Sequence, residues 1–204
     1  MVAIDKLIDT LGLVYCLYLF PIPFFWLLIH PAIRFWRRFG NRSLWLAAPV
    51  WLVVDAAIIL MRGLLYAERI PRSAVTWVLG GALLVLANWV GLRVVRDIGL
   101  RRLVGVREMN PREAGRLVSS GIYGQLRHPR YLAAMLELLG WASLTGAVGI
   151  FLLAILSVLL YQLIAPLEEQ ELREQYGQQF EAYARKVPRF LPHLERKTKP
   201  QALR

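Results

Sequence analysis

Charge is absent from long stretches of this chain and crowded between them. Thr10 to Ile29 is 20 residues without a charge, Leu44 to Met61 is 18 with only Asp55, Ala74 to Leu92 is 19 without one, and Pro129 to Leu167 is 39 with only Arg130 and Glu137. A helix rises about 1.5 Å per residue, so about 20 apolar residues cross about 30 Å of hydrocarbon. The first three runs each predict one membrane span. The fourth is too long for one helix, and "LTGAVG", Leu144 to Gly149, offers a break at its two glycines. That run predicts a helical hairpin over about 129–165. The fold class is therefore all-α integral membrane, with five transmembrane helices. Pro21 and Pro23 should kink the first span. Its start, "MVAIDKLIDT", is not a basic leader, and "IHPAIRFWRR" follows in place of a cleavage site, so it reads as a retained span.

Composition agrees with this pattern. Of 204 residues, 57% are hydrophobic and seven are Trp, an apolar share above that of soluble domains. The length suits one domain, with N-terminal spans over 1–93 and a polar loop, hairpin and C-terminal helix over 94–204. The net charge of +11 is uneven: "HPAIRFWRRFGNR" holds four Arg, the stretch from Arg93 to Arg130 holds nine, and the hairpin turn holds none. The positive-inside rule then puts the N-terminus outside and the C-terminus in the cytoplasm. Three Arg between Arg62 and Arg72 run against that assignment. The basic excess reads as this bias plus contact with anionic lipid, with no nucleic-acid partner. Cys16 is the single cysteine, and His30, His128 and His193 lack companions at ligand spacing, so neither an intrachain disulfide nor a metal is expected.

The polar chemistry falls in two places. The loop from Val95 is Arg-rich and carries Gly99, Gly105, Gly115, Gly121 and Gly124, which suits a folded platform or a loop resting on headgroups. In the tail, Leu167, Leu172, Tyr176, Phe180, Tyr183 and Val187 mark one face of an amphipathic helix. Pro166 suits the start of that helix, and Glu168, Glu169 and Glu171 complement its dipole. A hairpin brings both of its ends to one side, so His128 and Tyr131 should face Glu168 and Glu169 where water meets lipid. Within the spans, Glu137 is a candidate catalytic base or an ion-pair partner of Arg130 or another loop Arg. Asp55 and Asn88 suit interhelical hydrogen bonds.

"LVSSGIYGQLRHPRYLAAML" followed by "LEEQELREQYGQQFEAYARKVPRFLP" resembles the isoprenylcysteine carboxyl methyltransferase family, which includes bacterial homologues and phospholipid methyltransferases. The motif residues are Gly121, Tyr123, Arg127 to Pro129, Tyr131, Glu168, Glu169, Leu172, Gly177, Phe180, Tyr183, Val187, Pro188 and Pro192. The resemblance covers about Gly115 to Pro192. It implies an S-adenosylmethionine-dependent membrane methyltransferase, in a bacterial inner membrane, acting on a lipophilic acceptor: the carboxylate of a prenylcysteine-like molecule or the amine of a lipid. Carried over, the cofactor shell is Gly115, Arg116, Leu117, Val118, Tyr123, His128, Pro129, Arg130, Tyr131 and Glu168. Ile164 holds the substrate-binding position where prenylcysteine enzymes have an Arg, and Ala133 replaces a frequent Gly. An apolar Ile164 cannot pair with a carboxylate. The competing readings are a non-enzymatic transporter or scaffold, and a membrane reductase of related topology. The paired motifs favour the methyltransferase.

Overall fold

Proline and glycine divide the apolar runs into helices. The computed structural model describes residues 2–103 and 116–191. Helix α1 (Val2–Leu19) passes through Phe20 into α2 (Pro21–Ile29), with the break at the expected proline. Two short 3-10 turns flank α3 (Ile33–Trp36) and lead to α4 (Arg42–Ala47) and α5 (Pro49–Leu60). After α6 (Arg62–Leu65), the long α7 (Ala74–Leu103) is interrupted at Gly99. A 3-10 turn at Gly121–Gly124 precedes α8 (Pro129–Thr145), α9 (Val148–Tyr176) and α10 (Gln178–Lys186).

The hairpin break falls at Gly146. Its φ of 67° is left-handed, and a Cβ there would lie 2.5 Å from the Ile70 carbonyl oxygen. Glycine alone allows both. The turn is pinned from outside: Ile70 N donates to Gly146 O at 2.8 Å and Val148 N to Glu68 O at 3.0 Å.

Helix α8 lies at the centre, packed on α1, α7 and α9, and most of it is buried. Fully buried Ala142, Ala154 and Ala165 line these contacts, and small residues let helices approach closely in a lipid environment. The outer helices turn their large apolar side chains outward: Trp45, Leu60 and Val75 are more than 70% exposed. Such faces are stable against hydrocarbon and not against water. The chain is a multi-pass membrane protein.

Four stretches are long and apolar enough to cross a membrane: Ala3–Phe39, Arg42–Leu60, Ala74–Gly99 and Val148–Tyr176. The other helix of the hairpin, α8, has 17 residues, about 25 Å at ~1.5 Å each, and runs through the centre of the bundle between α7 and α9.

Three expectations change. Pro166 does not start a helix; it lies inside α9, which runs unbroken from the hairpin into the tail until Gly177. Glu168, Glu169 and Glu171 therefore sit far from that helix's N-terminus, and its dipole does not explain them. Asn88 donates back to Leu84 O at 2.8 Å on its own helix, because its side chain faces outward, and Asp55 Oδ1 has no hydrogen-bond partner. Neither makes an interhelical bond among the described residues.

Candidate active site

The Arg-His-Pro-Arg stretch is held in place from three directions. Upstream, Gly121 (φ 61°) lies against the Asp97 carboxylate, and Asp97 Oδ2 accepts from Ile122 N at 2.6 Å. A side chain at Gly121 would displace that carboxylate. From the tail, Tyr183 donates its hydroxyl to Tyr123 O at 2.7 Å, and burial pushes the Tyr183 phenol up, so it stays a donor. Next to the helix, Arg127 N donates to Pro188 O (2.9 Å) and His128 N to Arg189 O (3.1 Å). The Val-Pro-Arg segment is thus the hydrogen-bonding partner of the Arg-His segment. His128 then caps α8, with Pro129 in the first turn where a missing N–H costs nothing.

Behind this stretch is a buried charge cluster. Glu169 is 1% exposed. It accepts from Arg189 through both oxygens at 2.9 Å, from Arg127 Nε at 3.0 Å, and meets His128 Nε2 at 3.1 Å. Arg127 also donates to the Ala184 and Val187 carbonyls at the end of α10. Glu168 Oε2 stands 3.2 Å from His128 Nδ1, yet it accepts no hydrogen bond of good geometry. Burial alone would lower the His128 pKa; the two glutamates outweigh it and hold the pKa above the usual histidine value. The ring sits between two carboxylates that favour its protonated form, and it stacks on Tyr131 at 5.3 Å.

In front of the cluster lie two cavities. One, of about 160 Å³, is polar and mixed; Arg116, Leu117, Val118, Tyr123, His128, Arg130, Tyr131 and Glu168 line it, joined by His30, Arg37, Glu171, Leu172, Gln175, Tyr176 and Tyr183. The other, of about 720 Å³, is chiefly apolar and is walled by α1, α2, α4, α5, α7, α8 and α9, with Trp26, Trp45 and Trp51 among its residues. Arg130 and Tyr131 line both. Arg130 lies over the Trp26 and Tyr131 rings at 5.2 and 5.3 Å, and Tyr131 stacks on Tyr161 at 4.6 Å. The shared wall is an aromatic layer with one cation on it.

Eight of the ten residues expected around a cofactor therefore border one cavity. Pro129 lines neither cavity, since its place is in the first turn of α8. Gly115, like Pro192 of the motif, lies outside the described residues. Ile164, expected at a substrate-binding position, is fully buried in the core cluster and borders neither of these two cavities. Glu137 lines the apolar cavity and makes no ion pair with a described residue, which removes the pairing with Arg130. His30, Arg37 and Glu171 were not foreseen. His30 Nδ1 lies 2.6 Å from Glu171 Oε1 across 141 positions of sequence, and the only local hint is a histidine placed at the end of an apolar run.

Two curated relatives are similar in part: the cobalt-zinc-cadmium resistance protein CzcN of Cupriavidus metallidurans, 29% identical over 60% of this chain and 62% of its own length, and the nickel-cobalt-cadmium resistance protein NccN of Alcaligenes xylosoxydans xylosoxydans, 29% identical over 58% and 54%. The chain thus spans less than two thirds of the length of either. No solved structure matches it. The family model described as phospholipid methyltransferase matches residues 75–179, from α7 through the Arg-His-Pro-Arg stretch and the hairpin to the first residues of α10. That match covers just over half of the sequence and holds Arg130, Tyr131 and Tyr161 of the shared wall, and the chain belongs to the phospholipid methyltransferase family of membrane methyltransferases.

Proposed function

We propose that the protein transfers a methyl group from S-adenosylmethionine, bound in the polar cavity, to a lipophilic acceptor held in the apolar one. The single observation behind this is the shared wall of Arg130 and Tyr131, where a water-soluble donor and a hydrocarbon-soluble acceptor can meet.

The residues present fit that cofactor. Glu168 Oε2 is a buried acceptor without a hydrogen-bond partner, suited to ribose hydroxyls or an ammonium. Arg116 and Arg37 border the cavity and can pair with a carboxylate. Tyr123, Tyr176, Leu117 and Leu172 offer faces for an adenine. A site for a drug-sized ligand takes roughly 300–1,000 Å³, so the closed part of this cavity holds only part of such a molecule. When bound, the cofactor supplies an electrophilic methyl on a sulfonium. The protein's own work is to align the acceptor and exclude water. Tyr131 and Arg130 form the surface across which alignment is set, and the salt-bridged Glu169 fixes His128 beneath it. The sidedness of the fold supports a cytoplasmic C-terminus: loop and tail meet at the site through His30–Glu171 and Arg37–Glu171.

Calorimetric titration of detergent-solubilised protein with S-adenosylhomocysteine tests the reading. Binding is expected in the wild type and should fall about tenfold or more in Glu168→Ala, which loses charge-assisted hydrogen bonds. No binding by the wild type overturns the proposal. Radiolabelled methyl transfer into a total lipid extract then identifies the acceptor.

A further inference from the structure

The apolar cavity is not uniformly apolar. Among the described residues lining it, Glu137 is the one acidic residue and Arg130 the one basic one. Arg130 is at the shared wall, spread over two aromatic rings. Glu137 lies seven residues further along α8, close to two turns and about 10 Å from it along the axis. It makes no hydrogen bond or ion pair with a described residue. A second polar group also points to a ligand. Tyr161 is fully buried, lines the same cavity, and its hydroxyl has no hydrogen-bond partner. A buried phenol left unsatisfied among hydrocarbon walls is costly unless something docks against it, and the half-buried Glu137 opens onto the same space.

Charge decides what docks. In a low-dielectric chamber an unpaired carboxyl group resists ionisation, and a basic amine that takes its proton leaves a stabilised ion pair there, which an acid cannot form. A phosphate calls for an Arg or Lys cluster, and the chamber has one guanidinium at its edge. Its volume of about 720 Å³ suits a single-chain molecule in the range of a drug-sized ligand. We infer that Glu137 makes this chamber selective for a phosphate-free, single-chain amphiphile bearing a protonated amine, with Tyr161 as a second polar contact. This rests on the chamber being the acceptor site. Glu137 then acts as a specificity residue through charge.

Trp26, Trp45 and Trp51 line the chamber and report its filling. The experiment places full-length wild type, Glu137→Gln and Tyr161→Phe in phosphatidylcholine nanodiscs without cofactor. Chain-brominated hexadecylamine, hexadecanoic acid and hexadecyl phosphate are titrated in, and Trp quenching is followed. Comparing variants cancels each probe's partition into the disc. The amine should bind about tenfold more weakly to Glu137→Gln than to wild type, while the acid and the phosphate bind as well or better. Tyr161→Phe keeps the ring stack and should weaken the amine about threefold, which carries the test if Glu137→Gln does not fold. Equal amine binding by wild type and the variants overturns the inference, as does an equal loss for amine and acid. The titration uses no cofactor, so a wild type that takes the amine but not S-adenosylhomocysteine overturns the cofactor reading alone.

Discussion

The bundle carries an arginine–carboxylate cluster at each end, and the one that holds His128 and Arg127 borders the polar cavity. At the far end, Arg69 grips Asp9 through two bonds of 2.8 and 3.1 Å, Arg72 pairs with both Asp9 and Asp5, and both arginines reach the Thr145 carbonyl at the end of α8. These groups stay partly exposed, Asp9 at 25% and Arg69 at 40% of the side chain. At the near end, Glu169 is buried under Arg127, Arg189 and His128. The chemistry is similar and the setting is not. The far cluster ties a loop to the hairpin turn. The near cluster supports groups that face the polar cavity. The far cluster also accounts for two of the three arginines that ran against the orientation argument: Arg69 and Arg72 are paired with aspartates of α1.

The strongest way to break this comparison is to remove the buried carboxylate. Glu169→Gln leaves two guanidiniums and a charged imidazole without their shared partner. Losing one member of a buried ion pair costs about 3–5 kcal/mol. A large drop in melting temperature in detergent is expected, with loss of S-adenosylhomocysteine binding. A cost no larger than that of the matching change at the far end would erase the distinction.

Next in size is Gly146→Ala. A left-handed φ strains any side chain, by about 1–3 kcal/mol at such positions, and the Ile70 carbonyl blocks the new methyl group. Reduced thermal stability with unchanged S-adenosylhomocysteine affinity is expected, because the turn is at the end remote from the cavities. A matching loss of affinity would mean that the two ends are coupled.

Acidity offers a smaller probe. The His128 pKa is raised in the fold, so its protonated form stabilises the protein fully below its unfolded value of about 6.5. That contribution fades as pH rises through the raised folded pKa. Melting temperature followed upward from pH 6.5 should decline more steeply in wild type than in His128→Asn. Parallel profiles would show that the ring is not held as a cation.

Much of the near end was legible because its parts repeat a local rule. Pro129 follows His128 and starts a helix; Leu172, Tyr176, Phe180, Tyr183 and Val187 recur on one face and do form one cluster. The hairpin break at Gly146 followed from helix length and glycine chemistry. The errors share a cause as well. Pro166 was read as a boundary by local propensity, yet packing of α9 against α2 and α8 carries the helix through it. Asn88 was read by residue type, which carries no information about which way a side chain faces: it is exposed and bonds back to its own helix. His30 and Glu171 escaped because their contact joins the first turn to the tail, and neither residue is marked by its neighbours.

The smallest expected effect is at the far end itself, where Asp9→Asn tests the comparison from its weaker side. The change keeps the shape of the side chain and removes one of two aspartates facing Arg69 and Arg72. Partly exposed pairs are screened by water, and each contributes about 0–1 kcal/mol. Asp5 still faces Arg72, and the arginines keep their bonds to Thr145 O. Melting temperature should fall slightly, S-adenosylhomocysteine affinity should not change, and the fall should shrink at high salt. A salt-insensitive loss approaching that of Glu169→Gln would make the far cluster as buried in its energetics as the near one, and the difference between the two ends would then rest on the cavities alone.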